Sequence, residues 1–443
     1  MLIRFEISNL FSFNEQTEFN MLPSKVQHLA HHKMSCNGIS FLRMAAVYGA
    51  NGAGKTNMIK ALVLLKQMIA DGKVVSNVDR MKFKLDEGNA AEPSSMAIEF
   101  LVNDHFYYYA VSFDDKGVAY ESLFESKRDN DVIVFEREFS EGEEHISFEE
   151  GYTNDPKNKL FVDVLCEKLI GRDVLLLAFL NNNYEKEFPV IHSAYQWFVD
   201  TLVVISAGEN RRPIAQMLDE NKELLDFSNS FIIRLDTGIS QISIEKKELD
   251  DEDNEFHKII ASASDGSKGL VVENRMTGNL VTIIREGDKI YEKRVITKHS
   301  DSSRNNAVKF DLGMESDGTK RLLDYLPFIY DIISKNHVYV VDEIERSIHP
   351  VIIKSIISFL SAIENMTGQL VFSTHESCLL DQDIIRTDEI WFVQKDVTGS
   401  TRIYPLSDFK VHHTANIENG YLNGRYGAIP FVSNLNDLHW NHE

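Results

Sequence analysis

The chain has 443 residues, of which 43% are hydrophobic and 26% charged, and its formal net charge is −22. That length suits two or three lobes around a large core, and the acidic balance argues against nucleic-acid binding by the surface as a whole. The longest apolar run, Val174–Leu180, is far too short to cross a bilayer.

Met1–Ile7 alternates like a strand and lacks the basic and apolar regions of a signal peptide, so a cytoplasmic protein is expected. A second strand is expected at Thr17–Asn20, with Asn9-Leu10-Phe11-Ser12-Phe13 between the two. The polar connector Lys25–Gly38 carries His28, His31 and His32, but no Cys or carboxylate stands at ligand spacing to make them a metal site. Cys36, Cys166 and Cys378 are scattered and odd in number, which fits reduced, mostly buried thiols.

An apolar strand, Met44–Tyr48, leads into Gly49-Ala50-Asn51-Gly52-Ala53-Gly54-Lys55-Thr56, and a helical pattern runs from Asn57 to Lys66. This fits the phosphate-binding pattern G-x-x-x-x-G-K-[S/T] without a mismatch, in the strand–loop–helix context it requires. Glycines let backbone N–H groups turn inward around a phosphate, and the helix N-terminus adds partial positive charge. Asn51, Gly52, Ala53, Gly54, Lys55, Thr56 and Asn57 are therefore candidate nucleotide-binding residues. Lys55 would reach the β- and γ-phosphates, and the Thr56 hydroxyl would ligate Mg²⁺.

Further strands are expected at Met96–Val102 and Phe106–Val111, joined by a hairpin turn, then at Val118–Ser126, Ile133–Glu138 and His145–Phe148. Together they predict an antiparallel β lobe. Residues 156 to about 236 read as helices: around Leu160–Leu165, over Asp173–Asn181, over His192–Val204 and over Glu220–Leu235. No heptad is sustained, so a compact helical insertion is expected rather than a long coiled coil. The acidic run Glu248–Asp253 reads as a solvated loop, and Leu270–Glu273, Leu280–Arg285 and Lys289–Thr297 return to β structure. Lys293, Arg294, Lys298 and Arg304 are the best candidate for a local basic patch, although a solvated strand face explains them better.

The motifs become dense from Ala307. A strand, Ala307–Leu312, precedes Gly313–Arg321, then a helix over Leu322–Ser334, then the stretch His337–Glu345, read as a buried strand ending in the Asp342-Glu343 pair. A central strand ending in two carboxylates is the second part a P-loop enzyme needs. Asp342 would hold Mg²⁺, and Glu343 would polarise the attacking water. Pro350–Asn365 reads as a helix, and Gln369–Thr374 as a strand ending at His375, which could hydrogen-bond a γ-phosphate.

The order P-loop, Ser316-x-Gly318-Thr319, Asp342-Glu343 and His375 resembles ABC-type ATPases of the SMC and RecF class. The resemblance implies an α/β fold: an ABC-type P-loop ATPase head with an antiparallel β lobe and a compact helical insertion. It divides the chain at about residues 1–150, 151–300 and 301–443. It also implies ATP and Mg²⁺ as ligands and Glu343 and His375 as catalytic residues. Ser316, Gly318 and Thr319 would be signature residues contributed across a homodimer or higher homo-oligomer. Glu345–His349 occupies the D-loop position, with His349 where many relatives have Asp, and no Q-loop glutamine is evident.

More narrowly, Ile7–Phe13, the Asp342–Glu345 box and the closing Gly420–Phe431 resemble compact ATPases related to the overcoming-lysogenization-defect (OLD) group of bacterial anti-phage systems. The ATPase subunit of PARIS-type systems is the nearest specific likeness. That resemblance implies a slow ATP switch, a phage-derived trigger and control of a Toprim-type nuclease. After His375 there is no obvious Toprim carboxylate set, so such a nuclease would act in trans. The alternative is a DNA repair or chromosome-maintenance ATPase of the RecF/SMC type; a transporter motor fits the signature less well.

Overall fold

The computed structural model describes residues 1–127, 130–140, 142–206, 212–249, 269–273, 278–287, 289–301, 306–412 and 415–430. The acidic run from Asp250, Arg304 and Phe431 lie outside the described residues. One compact unit is built from Met1–Ser206, Lys335–Ile344 and the chain from Ser361. The other comprises the described parts of Ala207–Ser334 together with Glu345–Leu360.

Strands in chain order are β1 (Leu2–Ser8), β2 (Thr17–Asn20), β3 (Lys33–Cys36), β4 (Ile39–Leu42), β5 (Met44–Gly49), β6 (Ser94–Val102), β7 (His105–Asp114), β8 (Gly117–Ser126), β9 (Val132–Ser140), β10 (Glu143–Phe148) and β11 (Leu202–Ile205). The second unit holds β12 (Ile239–Glu248), β13 (Leu270–Glu273), β14 (Leu280–Glu286), β15 (Lys289–Asp301) and β16 (Asn306–Asp311). The first unit resumes with β17 (Val338–Val341), β18 (Gln369–Ser373), β19 (Ile390–Lys395) and β20 (Thr401–Pro405).

Two sheets form the first unit. The core sheet has the order β11-β17-β18-β5-β19-β20, and its first five strands are parallel. Strands β17, β18 and β5 are buried along their whole length. They read as continuous apolar runs because a parallel sheet is covered on both faces. The second sheet, β10-β9-β8-β7-β6-β1-β2, is antiparallel throughout and is the expected β lobe. Its β6–β7 hairpin turns on Asn103 and Asp104, both at positive φ (50° and 63°), the geometry a two-residue hairpin favours.

The helices Pro156–Val164, Leu176–Tyr184 and Pro189–Gln196 belong to this first unit. Trp197 stacks on Phe100 of β6 with centroids 4.3 Å apart. Buried Glu121 on β8 accepts the N–H groups of Leu176 and Leu177 at the start of one helix, at 2.7 and 3.0 Å. Burial pushes the Glu121 carboxyl up, against the pull of Arg137 and those two N–H groups.

The helix expected through Val204 ends earlier: helical turns stop at Thr201, and Leu202–Ile205 is β11, paired in parallel with β17. Leu-Val-Val-Ile has no period that separates a buried strand from a helix, and the free edge of β17 decides it. The helix expected over Glu220–Leu235 is present as Lys222–Ile232, capped by the Asn221 side chain and continued by a turn over Ile233–Leu235, and a further short helix, Ile214–Glu220, precedes it. The three histidines of the connector serve carbonyls and a carboxylate: His28 meets Gln382 O, His31 meets Ser361 O, and His32 lies 2.9 Å from Glu389. Cys36, Cys166 and Cys378 form no disulfide and are half-exposed, not buried. No described helix is long and apolar enough to cross a membrane.

In the second unit, β12-β15-β14-β13 form an antiparallel sheet, with β16 also paired to β15. Two of the four residues of the candidate basic patch are paired with carboxylates. Lys293 is buried against Asp219 and Glu286, at 2.7 and 3.2 Å, and Arg294 pairs with Glu292.

Candidate nucleotide-binding site

The site starts at the carboxyl ends of the parallel core strands, where ligands of such sheets collect. The chain leaves β5 at Gly49 and bends through Gly52 (φ 75°) and Gly54 (φ 121°) into the helix Lys55–Asp71. Glycine is needed twice over at Gly54. An L side chain is disfavoured at that φ, and a Cβ there would overlap the side chain of Thr401. Lys55 is 5% exposed, and its Nζ donates to Gly49 O (2.7 Å) and Ala50 O (3.3 Å), holding the ammonium over the loop.

Behind the loop stands a small hydroxyl network. The Thr401 hydroxyl lies 2.9 Å from Ala53 O, its acceptor, and 2.8 Å from Ser12 Oγ, while Asn57 Nδ2 donates to Ser12 Oγ at 2.8 Å. Thr401 N–H also donates to Ser12 O at 2.7 Å. The network therefore ties the loop to β20 and to the turn after β1.

Asp342 and Glu343 follow β17, which is separated from β5 in the sheet by β18. Asp342 is 1% exposed; its N–H donates to Ile205 O at 2.9 Å, and its Oδ1 accepts the Ser373 hydroxyl at 2.5 Å. The same Ser373 Oγ accepts Glu343 N–H at 2.8 Å. Glu343 sits at φ 49°, a left-handed conformation that an ordinary side chain adopts only where its surroundings impose it. The turn directs Glu343 off the strand into a cavity of about 360 Å³ lined by Ala50–Asn57, Glu343 and His375. His375 follows β18, after Thr374, whose N–H is held by Val47 O of β5 at 3.1 Å.

Asn51, Gly52, Ala53, Gly54, Lys55, Thr56, Asn57, Glu343 and His375 thus share one cavity, although some 320 residues separate the first from the last. Asp342 lies beside it, joined to Glu343 through Ser373. Ser316, Gly318 and Thr319 lie in the other unit. There Ser316 Oγ accepts Thr319 N–H at 3.1 Å and lies 2.9 Å from its hydroxyl, capping the helix Asp317–Ser334. That helix begins five residues before the expected Leu322. A Cβ on Gly318 would strike the carbonyl oxygen of Ser347, so signature and D-loop backbones touch at a glycine. His349 Nδ1 accepts Val351 N–H at 3.2 Å and caps the following helix, Pro350–Ser361.

Ser12, Ser373 and Thr401 escape the sequence reading. Ser12 stands within a quoted motif, but its partner Thr401 lies 389 positions away, and only sheet topology joins them. The cavity residues fit a nucleoside triphosphate with a divalent cation. Anion donors are the Lys55 ammonium and the N–H groups of a glycine-bent loop at a helix start. The Thr56 hydroxyl and, beside the cavity, the Asp342 carboxylate are oxygen donors of the kind Mg²⁺ takes.

The chain matches, from Met44 to Asp381, the family described as "AAA domain, putative AbiEii toxin, Type IV TA system". The match covers more than half of the chain, which belongs to this family of AAA ATPase domains. No curated protein matches the sequence. Among solved structures, the SMC head domain from Thermotoga maritima is similar at 14% identity and TM-score 0.40, covering 91% of this chain and 98% of that one. An SMC head bound to the C-terminal winged-helix domain of ScpA gives 14% identity and TM-score 0.41, with 91% and 97% covered. A Pyrococcus furiosus SMC head with an extended coiled coil, bound to the C-terminal domain of ScpA, gives 12% and 0.41, with 91% and 96% covered.

Proposed function

From membership in that AAA family, we propose that this chain is an ATP-binding and hydrolysing switch that controls a separate effector. The observation that carries the reading is the shared cavity of the phosphate loop, Glu343 and His375. In this reading Lys55 and the loop N–H groups bind the β- and γ-phosphates, with Asn51–Asn57 shaping the cradle. Thr56 and Asp342 hold Mg²⁺, which when bound neutralises phosphate oxygens. Glu343 accepts a proton from the attacking water, and His375 donates a hydrogen bond to the γ-phosphate. The capped helix start of a second copy, with Ser316, Gly318 and Thr319, closes over the γ-phosphate, so ATP becomes part of a homodimer interface and hydrolysis is slow.

The family's toxin–antitoxin description supports a role in bacterial defence. The OLD- and PARIS-like motifs at both ends of the chain favour an anti-phage switch that senses a phage-derived trigger and releases a Toprim-type nuclease acting in trans. Pairing of Lys293 and Arg294 with carboxylates weighs against the repair reading, since it offsets two of the charges of the candidate basic patch.

Calorimetric titration of ATP with Mg²⁺ tests the core of this reading. Lys55→Ala should weaken binding at least tenfold, about 1.4 kcal/mol; unchanged affinity removes the phosphate-loop assignment. Mass spectrometry of material co-purified with ATP and Mg²⁺ tests the output. A stoichiometric nuclease or toxin-like partner supports the defence switch, whereas turnover stimulated by DNA in a salt-sensitive way points to repair.

A further inference from the structure

The closing motif Gly420–Pro430 plays no part in the chemistry above, yet it is packed against that chemistry's supports. Its helix, Ile417–Leu422, presents Tyr421 to Tyr48, the residue before Gly49, with ring centroids 5.7 Å apart. Tyr421 also stacks on Phe392 of β19 at 5.6 Å, and Tyr426 stacks on the same ring at 5.8 Å. The segment is locked to itself and to β19 and β20. Tyr404 donates to Tyr426 O at 2.8 Å, Tyr421 donates to Ala428 O at 3.3 Å, and Ala428 N–H donates to Gln394 at 3.2 Å. Gly427 has φ 71°, and a Cβ there would overlap Gln394 and Tyr404, so this turn requires glycine.

The same segment holds the loop that carries His375. Ser377 Oγ donates to Glu418 Oε1 at 2.7 Å, and Gln382 Nε2 donates to Ala415 O at 2.8 Å. Tyr48 closes the circuit: its hydroxyl donates to Glu376 O at 3.3 Å while its ring rests on Tyr421. The two residues after His375 are thereby tied on one side to the strand feeding the phosphate loop and on the other to the closing motif. His375 is exposed at a strand end, and fixing its flanking backbone limits the orientations its side chain can take.

We propose that Glu418 and Tyr421 are positioning residues that set His375 against the γ-phosphate, making the closing motif part of the hydrolytic machinery. This rests on the role given to His375 above. The test is single-turnover ATP hydrolysis, with ATP half-saturation, on the full chain. Glu418→Ala and Ser377→Ala should each slow turnover roughly tenfold, with half-saturation moved less than about twofold. Combining them should slow it no further, because they remove one hydrogen bond from its two ends. Glu418→Gln, which keeps the acceptor oxygen, should retain most of the rate. In a His375→Ala background, Glu418→Ala should change nothing more.

A well-folded Ser377→Ala protein with the wild-type rate overturns the proposal. So does a Glu418→Ala effect of full size in the His375→Ala background, which would mark a general structural role. A His375→Ala protein that turns over normally instead removes the role of His375 itself, and this proposal with it.

Discussion

In the first unit, three neighbouring parallel strands end side by side, and the residues after β5, β17 and β18 meet in one cavity or beside it. In the second unit, Ser316 and Thr319 spend their hydroxyls on capping their own helix, and Gly318 lies against Ser347. Sheet topology builds the first region regardless of sequence separation, and its Glu343 is held in a left-handed conformation that folding alone does not favour. Local rules explain the second region: a Ser three residues before a backbone donor is an ordinary N-cap. Convergence therefore marks the first region as a site from one chain alone; backbone strain does not separate the two, because Ser347 of the second unit also has a positive φ (62°). The second gains a role only if something docks on its helix start.

Substitutions sharpen that contrast. Glu343→Gln should lower turnover about 100-fold or more while ATP still binds, because a positioned general base contributes that much. Rapid-quench measurement at saturating ATP checks it, and normal turnover removes Glu343 from the role. A smaller effect is expected from Thr401→Val, which keeps the packing on Gly54 but strips the hydroxyl between Ala53 and Ser12. Loss of that buried hydrogen bond should cost about 1–2 kcal/mol in urea unfolding and weaken ATP binding a few-fold. An unchanged midpoint would show that the loop needs no such buttress.

The smallest effect concerns the β19–β20 turn that presents Thr401. Asp396 there accepts hydrogen bonds from Thr398 and Ser400 and pairs with Arg402, and these hold its carboxyl down to about 2, Thr398 foremost. A depressed acid contributes stability above its unfolded value of 3.8 and loses it as pH falls toward 2. The melting temperatures of wild type and Asp396→Asn should therefore differ slightly at neutral pH and converge between about pH 4 and pH 2. A constant gap across that window would contradict the assignment.

Much of this site is legible in the sequence because its parts are local. The eight residues from Gly49 to Thr56 specify their own turn and helix start, and Asp342, Glu343 and His375 each follow an unbroken apolar strand. The β lobe was legible for the same reason, through alternation and short polar turns. What escaped depends on distance or on competition. Ser12, Asn57 and Thr401 form a network only once β20 lies beside β19 and the loop. Leu202–Ile205 became β11 because the edge of β17 was available, which no window of the sequence discloses. In the sequence Ser316 reads only as a signature residue; its side chain also caps the following helix, which starts at Asp317 and not at the expected Leu322.

A mixing assay tests most directly whether one chain's cavity is completed by another chain's signature. Lys55→Ala lacks a working phosphate loop but keeps its Ser316, whereas Ser316→Arg keeps the loop and blocks the capped helix start. Each alone should hydrolyse little ATP, with Ser316→Arg still binding it. Mixed, they can assemble one intact composite site, so turnover should reappear and rise with the concentration of either partner. A mixture as silent as its components, or a Ser316→Arg protein with full activity by itself, would contradict the two-chain site.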